Sequence, residues 1–244
     1  MASIFWFSLL VLFGTTFLLW AGNFTGHRAT QKDGSVNRLK MQWEYQLLTL
    51  LFAVFLAMIS ITVSGINVRF LGNLEASATS MSFWGFSEKD TWASVGLVMA
   101  FVPAIGTTIV VCFQMLKGKV FSLKLLPKSL LLCLPLAILN SLTEEIIFRF
   151  IAVNTLSSVV SSATVAIASG VAFGLPHYFG SPGKIIGVFM AGALGWVMAN
   201  AMVETGGFAI SWFIHFIQDI PIMAMMLLTS FSSNLNSQKS SEQT

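Results

Sequence analysis

Seven long apolar stretches follow one another along the chain, separated by short polar segments. Each is long enough to cross about 30 Å of hydrocarbon as an α-helix, which rises about 1.5 Å per residue. The stretches lie near residues 3–21, 46–67, 93–116, 129–153, 160–178, 184–203 and 207–230. The pattern predicts an all-α fold, a polytopic membrane helical bundle of about seven transmembrane helices.

The composition agrees with lipid as the solvent. Of 244 residues, 55% are hydrophobic and 9% are charged, whereas a soluble domain has about 25% charged residues. The first stretch has no basic segment before it and no small-x-small cleavage site, so we expect a membrane helix rather than a signal peptide. The net charge of +3 is modest and its basic residues lie in loops, so nucleic acid is not an expected partner.

The positive charges predict the orientation, because cytoplasmic loops carry an excess of Lys and Arg. In a seven-span arrangement ten of the 13 lie on one side, two on the other and Arg149 within a span. We therefore expect an integral multi-pass protein, in contact with lipid, with its N-terminus outside and its C-terminus cytoplasmic. The membrane that we expect for it is a bacterial plasma membrane. The ten are Arg28, Lys32, Arg38, Lys40, Lys117, Lys119, Lys124, Lys128, Lys184 and Lys239, and the two are Arg69 and Lys89.

A polar cluster interrupts the fourth stretch, where each charge is costly. Glu145 and Arg149 are four residues apart, so they share a helical face and can pair. Glu144 points about 100° away and has no cation one turn away on its own face of the helix, which suits a general base. Asn140, one turn earlier, could orient Glu144. The alternative for the pair is a salt bridge that only holds helices together.

Two further polar groups lie in later stretches. Phe173 and His177 are four residues apart, and Phe173 could wall a dry pocket around the imidazole. His215 and Asp219 have the same spacing, so the carboxylate could fix the tautomer of the imidazole. A packing histidine and a structural His–Asp bridge are the alternatives. Carboxylates and imidazoles together could activate water, provided that they converge on one buried polar cavity.

Small residues favour close helix packing beside these groups. Gly170 and Gly174 are four residues apart, as are Gly187, Ala191 and Gly195. Faces of this kind let two membrane helices approach closely.

The three polar groups, in this order, resemble the signatures of the CPBP family, the CAAX proteases and bacteriocin-processing enzymes also called Abi. The family motifs Glu-Glu-x-x-x-Arg, Phe-x-x-x-His and His-x-x-x-Asn/Asp stand here as EEIIFR (144–149), FGLPH (173–177) and HFIQD (215–219). The stretch ALGWVMANAMVETGGFAISWFIH is also similar to the penultimate helix and turn of the family. The resemblance covers roughly residues 125–225.

The resemblance implies a helical bundle with a polar cavity inside the membrane. Glu144 would be the base that activates water, helped by His177, and His215 with Asp219 would stabilise the oxyanion. Glu145 and Arg149 would be structural. The chain differs from the family at two positions: Asp219 stands in place of the Asn of the eukaryotic branch, and Phe150 in place of the usual Gly. An ionised Asp219 would repel an oxyanion, so it must be protonated, orient His215 or bind a metal.

The sequence leaves two possibilities for the activation of water, one with a zinc ion and one without a metal. Glu144, His177 and His215 could hold zinc with an open fourth position. The chain has no HExxH, and we favour activation of water by Glu and His with no cofactor required.

The leading function is therefore an intramembrane endopeptidase whose partner is a membrane-associated protein or peptide substrate. A non-catalytic immunity or regulatory protein of the same fold, or a proton-coupled transporter, would use the same buried groups. The expected organisation is N-terminal transmembrane helices and loops over 1–124, a catalytic core like that of the family over 125–230, and a disordered polar tail over 231–244.

Overall fold

The computed structural model describes residues 2–29, 37–65, 68–117, 121–179 and 184–241. Within these ranges the chain forms helices and no β-strand. The α-helices are α1 (Ala2–Ala29), α2 (Arg38–Ser64), α3 (Trp92–Leu116), α4 (Leu126–Glu145), α5 (Ile151–Leu156), α6 (Ser162–Gly174), α7 (Lys184–Thr205) and α8 (Ala209–Ser241). Short 3-10 helices span Thr79–Trp84, Leu123–Leu125 and Leu175–Tyr178, and a π-helix spans Ile146–Phe150.

The all-α membrane bundle is confirmed, and six helical segments are long and apolar enough to cross a bilayer. The fifth of the seven predicted spans, 160–178, is instead the 13-residue α6 followed by a four-residue 3-10 turn. Ser161 caps the start of α6 and Pro176 lies in the turn that ends it. Thirteen residues of α-helix cover only about 20 Å, so α6 falls short of a full crossing. The chain is an integral multi-pass membrane protein.

The fourth span changes its helical type beside the polar cluster. α4 ends at Glu145, the π-helix Ile146–Phe150 follows, and α5 continues the same segment to Leu156. A π turn inserts an extra residue into the helical ladder and re-aims the side chains on either side of it. Arg149 and Phe150, the residue that departs from the family pattern, lie within this turn.

Glycines allow α6 and the turn after it to pack directly on α7. A Cβ atom at Gly174 would lie 2.6 Å from the carbonyl oxygen of Val188, and one at Gly187 would lie 2.7 Å from that of His177. A Cβ atom at Gly195 would lie 2.9 Å from the ring of Phe173. The faces of small residues expected from the sequence therefore make this contact, and they hold Phe173 and His177 against α7.

The loop before α3 fixes the start of α8. The backbone of Arg69 donates to Gly206, and the backbone of Phe208 donates to Phe70, both at 2.9 Å. Glu204 at the end of α7 accepts from Trp92 at 2.7 Å and from the backbone of Ser80 at 3.0 Å. These bonds hold the turn between α7 and α8, which lies just before His215.

Two predicted features differ from the structure or fall outside it. α8 continues to Ser241, where the sequence predicts a disordered tail from residue 231; this stretch has no Gly or Pro to stop the helix. Residues 242–244 lie outside the described residues. So do Lys32 and Lys119, on which the predicted orientation partly rests.

Candidate active site

The end of α4, with Glu144 and Glu145, meets the first turns of α8, with His215 and Asp219. Nδ1 of His215 lies 2.8 Å from Oε1 of Glu145, and Nε2 lies 3.5 Å from Oε2 of Glu144. Asp219, one turn further along α8, has Oδ1 at 3.7 Å from the same Nε2. The imidazole thus lies within reach of three carboxylates and is 4% exposed.

Glu145 holds the imidazole from one side. Its Oε1 also lies 3.1 Å from Nη1 of Arg149, the pair expected from the spacing, and its Oε2 accepts a hydrogen bond from Ser211. Glu145, Arg149 and Ser211 are fully buried. The sequence predicted that Asp219 would fix the tautomer of His215. In the structure Asp219 instead lies near Nε2, and Glu145 from another helix accepts the hydrogen bond of Nδ1.

Hydrogen-bond accounting defines the state of the other ring nitrogen. An ionised carboxylate only accepts, so Nδ1 must carry the proton that it donates to Glu145. A bare lone pair on Nε2 would then face the carboxylates of Glu144 and Asp219 and be repelled by both. A proton must therefore reside on Nε2 or on one of these two acids. The arrangement makes a shared proton available at the site.

Asn140 joins the two acids that face Nε2. Its side-chain nitrogen lies 3.0 Å from Oδ2 of Asp219 and 3.4 Å from Oε1 of Glu144. The oxygen of the same amide accepts from Gln46 on α2 at 3.0 Å. Asn140 thus contacts Glu144, as its position one turn earlier suggested, and reaches Asp219 as well.

Phe173 lies between the two histidines. Its ring centroid is 4.6 Å from that of His177 and 5.3 Å from that of His215, and Cζ of Arg149 lies 3.7 Å above it. Nδ1 of His177 lies 2.8 Å from the carbonyl oxygen of Phe173. Because a carbonyl only accepts, Nδ1 carries the proton, and the neutral ring has its lone pair on Nε2. His177 is therefore prepared to accept a proton there.

A cavity of about 250 Å³ lies between α3, the turn after α6, α7 and α8. His177, His215 and Asp219 line it, and its other walls are mostly apolar. Glu144 is not part of the lining. Its side chain is 16% exposed and lies against Nε2 of His215. The cavity thus joins both imidazoles and one acid, with the expected base next to it.

Zinc binding by Glu144, His177 and His215 stays a prediction from the sequence. Among the described residues, no group of three or more His, Cys, Asp and Glu side chains is arranged to hold a metal ion. Nε2 of His215 lies instead near the carboxylates of Glu144 and Asp219. Releasing Nε2 of His215 to a metal would require its carboxylate neighbours to give up their contacts.

Three polar residues near the site escaped the sequence reasoning. Ser211 lies one turn before His215, and its hydroxyl in an apolar span was a readable signal. Gln218 lines the cavity, accepts from Thr107 at 3.0 Å and donates to the carbonyl of Ala100 at 2.8 Å. Gln46, a buried amide in the second span, is 94 residues from its partner Asn140. No local pattern in the sequence connects these two.

Residues 126–221 match the family model described as type II CAAX prenyl endopeptidase Rce1-like. The match confirms the resemblance to the CAAX protease family over this part of the chain, which carries all three polar groups. It supports a peptidase of the membrane as the general class of the protein. No curated protein and no solved structure matched the chain.

Proposed function

Because residues 126–221 match a family of membrane endopeptidases, we propose that this chain hydrolyses a peptide bond of a membrane-associated protein or peptide. The observation that carries the proposal is the position of His215. Its Nδ1 is held by Glu145, while its Nε2 lies in a cavity shared with His177 and only 3.5 Å from Glu144. Two imidazoles and Asp219 thus line one cavity inside the bundle, and Glu144 lies next to it.

In this proposal Glu144 is the general base and His177 assists it. A water molecule bound beside Nε2 of His177 loses a proton to Glu144, and its oxygen bonds to the carbonyl carbon of the substrate. Catalytic contacts commonly tighten only when substrate is bound, so a small approach of Glu144 to the cavity completes the geometry. The proton then passes to the departing amide nitrogen, the C–N bond breaks, and a carboxylate and an amine leave.

His215 is the proposed donor to the oxyanion. With a proton on Nε2, the imidazolium places positive charge where the carbonyl oxygen becomes negative. Asp219 accepts from Asn140 and lies beside Nε2, where its negative charge stabilises the imidazolium. Glu145, Arg149 and Ser211 have the structural task of holding Nδ1. No cofactor takes part in these steps.

The test uses the full chain in proteoliposomes with two quenched fluorogenic peptides that end in a CAAX sequence, one farnesylated and one not. Glu144→Gln and His177→Ala should each lower kcat by about 100-fold or more, the usual range for general acid–base groups. Glu75→Gln, at an exposed acid of the loop before α3, is the matched control and should cleave normally. Cleavage of either peptide separates the prenylated from the unmodified substrate class.

Two outcomes would overturn the proposal. Undiminished cleavage by Glu144→Gln would remove the carboxylate from the mechanism. If the wild-type chain cleaves neither peptide, and immunity to a bacteriocin or proton-coupled flux persists in both variants, the non-catalytic partner or the transporter becomes the better account.

A further inference from the structure

Gln46 reaches the site from outside the segment that matches the family. It lies on α2, about 80 residues before the start of that segment and roughly 12 Å along its helix. The side chain is fully buried, and its amide nitrogen lies 3.0 Å from the oxygen of Asn140. Burying an amide in a membrane helix costs free energy unless the amide is hydrogen-bonded. The bond to Asn140 is therefore the interaction through which Gln46 would act.

The direction of this hydrogen bond follows from the neighbours of Asn140. Glu144 and Asp219 lie on one side of Asn140, and ionised carboxylates require donors. Asn140 must therefore turn its NH2 group toward them and its oxygen away. The oxygen then needs a donor, which the NH2 group of Gln46 supplies. The side-chain oxygen of Gln46, Oε1, has no hydrogen-bond partner among the described residues, so the contact with Asn140 is what orients this amide.

We propose that Gln46 is a positioning residue of the active site: by donating to Asn140, it fixes the amide orientation that holds Glu144 and Asp219 beside His215. The first two spans then contribute to catalysis as well as to the scaffold. This inference rests on the proposed endopeptidase function, because it assigns Gln46 a part in holding the base of that reaction.

Two substitutions of similar size separate positioning from packing. Gln46→Met removes the donor, so Asn140 can turn more freely, and kcat should fall about 5–10-fold, the value of one hydrogen bond. Gln46→Glu, assayed at a pH that ionises the introduced carboxyl, replaces the donor by an acceptor, which draws the NH2 group of Asn140 away from the acids. Its kcat should fall about 50-fold or more, since two charged contacts are lost. KM should stay within about twofold of wild type in both variants, because Gln46 does not line the cavity.

Thr49→Val is the matched control. Thr49 is equally buried on the same helix, and its hydroxyl bonds to the carbonyls of Tyr45 and Gln46. Its kcat should remain at the wild-type level. In an Asn140→Ala background the two Gln46 substitutions should change kcat by less than about twofold, since a residue that acts through Asn140 has no effect without it.

The inference is overturned if both Gln46 variants keep wild-type kcat. It is also overturned if the loss of kcat in each variant only parallels its loss of stability in urea, and Gln46→Glu is not less active than Gln46→Met. Glu144→Gln, measured in parallel, separates a failure of the proposed endopeptidase function from a failure of the role of Gln46. If it cleaves normally, the proposed function itself fails. If it is inactive while the Gln46 variants are fully active, only the role of Gln46 is rejected.

Discussion

Replacing Arg149 by methionine should destabilise the folded protein by about 3–5 kcal/mol, because it removes the guanidinium with which the buried Glu145 carboxylate is paired. Glu145 and Arg149 are both fully buried and lie 3.1 Å apart. The guanidinium also lies 3.7 Å above the ring of Phe173. Glu145→Gln should cost a similar amount, since it leaves the guanidinium unpaired. If the two losses were independent, they would sum to about 6–10 kcal/mol.

The double variant should behave differently. With both charges removed no unpaired ion remains, so the cost should fall to about 1–3 kcal/mol, the value of the weakened hydrogen bond to His215. The free energy of unfolding is measured on detergent-solubilised protein by urea titration followed by far-UV circular dichroism. Lys40 and Glu44 are the matched control, an ion pair of the same spacing whose atoms are 3.9 Å apart and which is partly exposed. Removing it should cost well under 1 kcal/mol.

Either of two results would refute this reasoning. Arg149→Met as mild as the surface control would mean that the buried carboxylate is neutralised by other means. A double variant as unstable as the sum of the single variants would mean that packing, and not charge pairing, gives both residues their importance. Relative to the single variants, the double variant should regain stability but not kcat, because the glutamine binds Nδ1 of His215 less strongly than a carboxylate does.

Three further predictions concern charge, packing and metal. Asp219→Asn should keep kcat within about tenfold of wild type, because the amide oxygen can still accept from Asn140; loss of all cleavage in the fluorogenic assay would assign Asp219 a direct chemical role. Gly174→Ala should destabilise the bundle by about 1–3 kcal/mol, since its Cβ would lie 2.6 Å from the carbonyl oxygen of Val188; an unchanged urea midpoint would contradict that contact. Cleavage should be insensitive to EDTA and 1,10-phenanthroline, and loss of activity that zinc restores would show that a metal is needed.

Much of the fold was readable because membrane helices are defined by local properties. An apolar run of about 20 residues crosses the bilayer whatever its neighbours are, so the bundle and most helix positions followed from the sequence. The exception was α6, where local hydropathy predicts a span but Ser161 and Pro176 limit the helix. The tail after residue 231 differed for a related reason: polarity predicted disorder, whereas the helix runs on in the absence of a residue that stops it.

What the sequence by itself determined about the site were the contacts within one helix. Residues four apart must share a face, so the pairing of Glu145 with Arg149 and the contact of Asn140 with Glu144 could be stated in advance. Only the tertiary structure decided which helix supplies the partner of His215, since spacing favours Asp219 while the packing of α8 on α4 delivers Glu145 to Nδ1. The contact of Gln46 with Asn140 is of the same kind. It depends on how α2 docks against α4, and the energy that chooses among such dockings is spread over many side chains that no short motif contains.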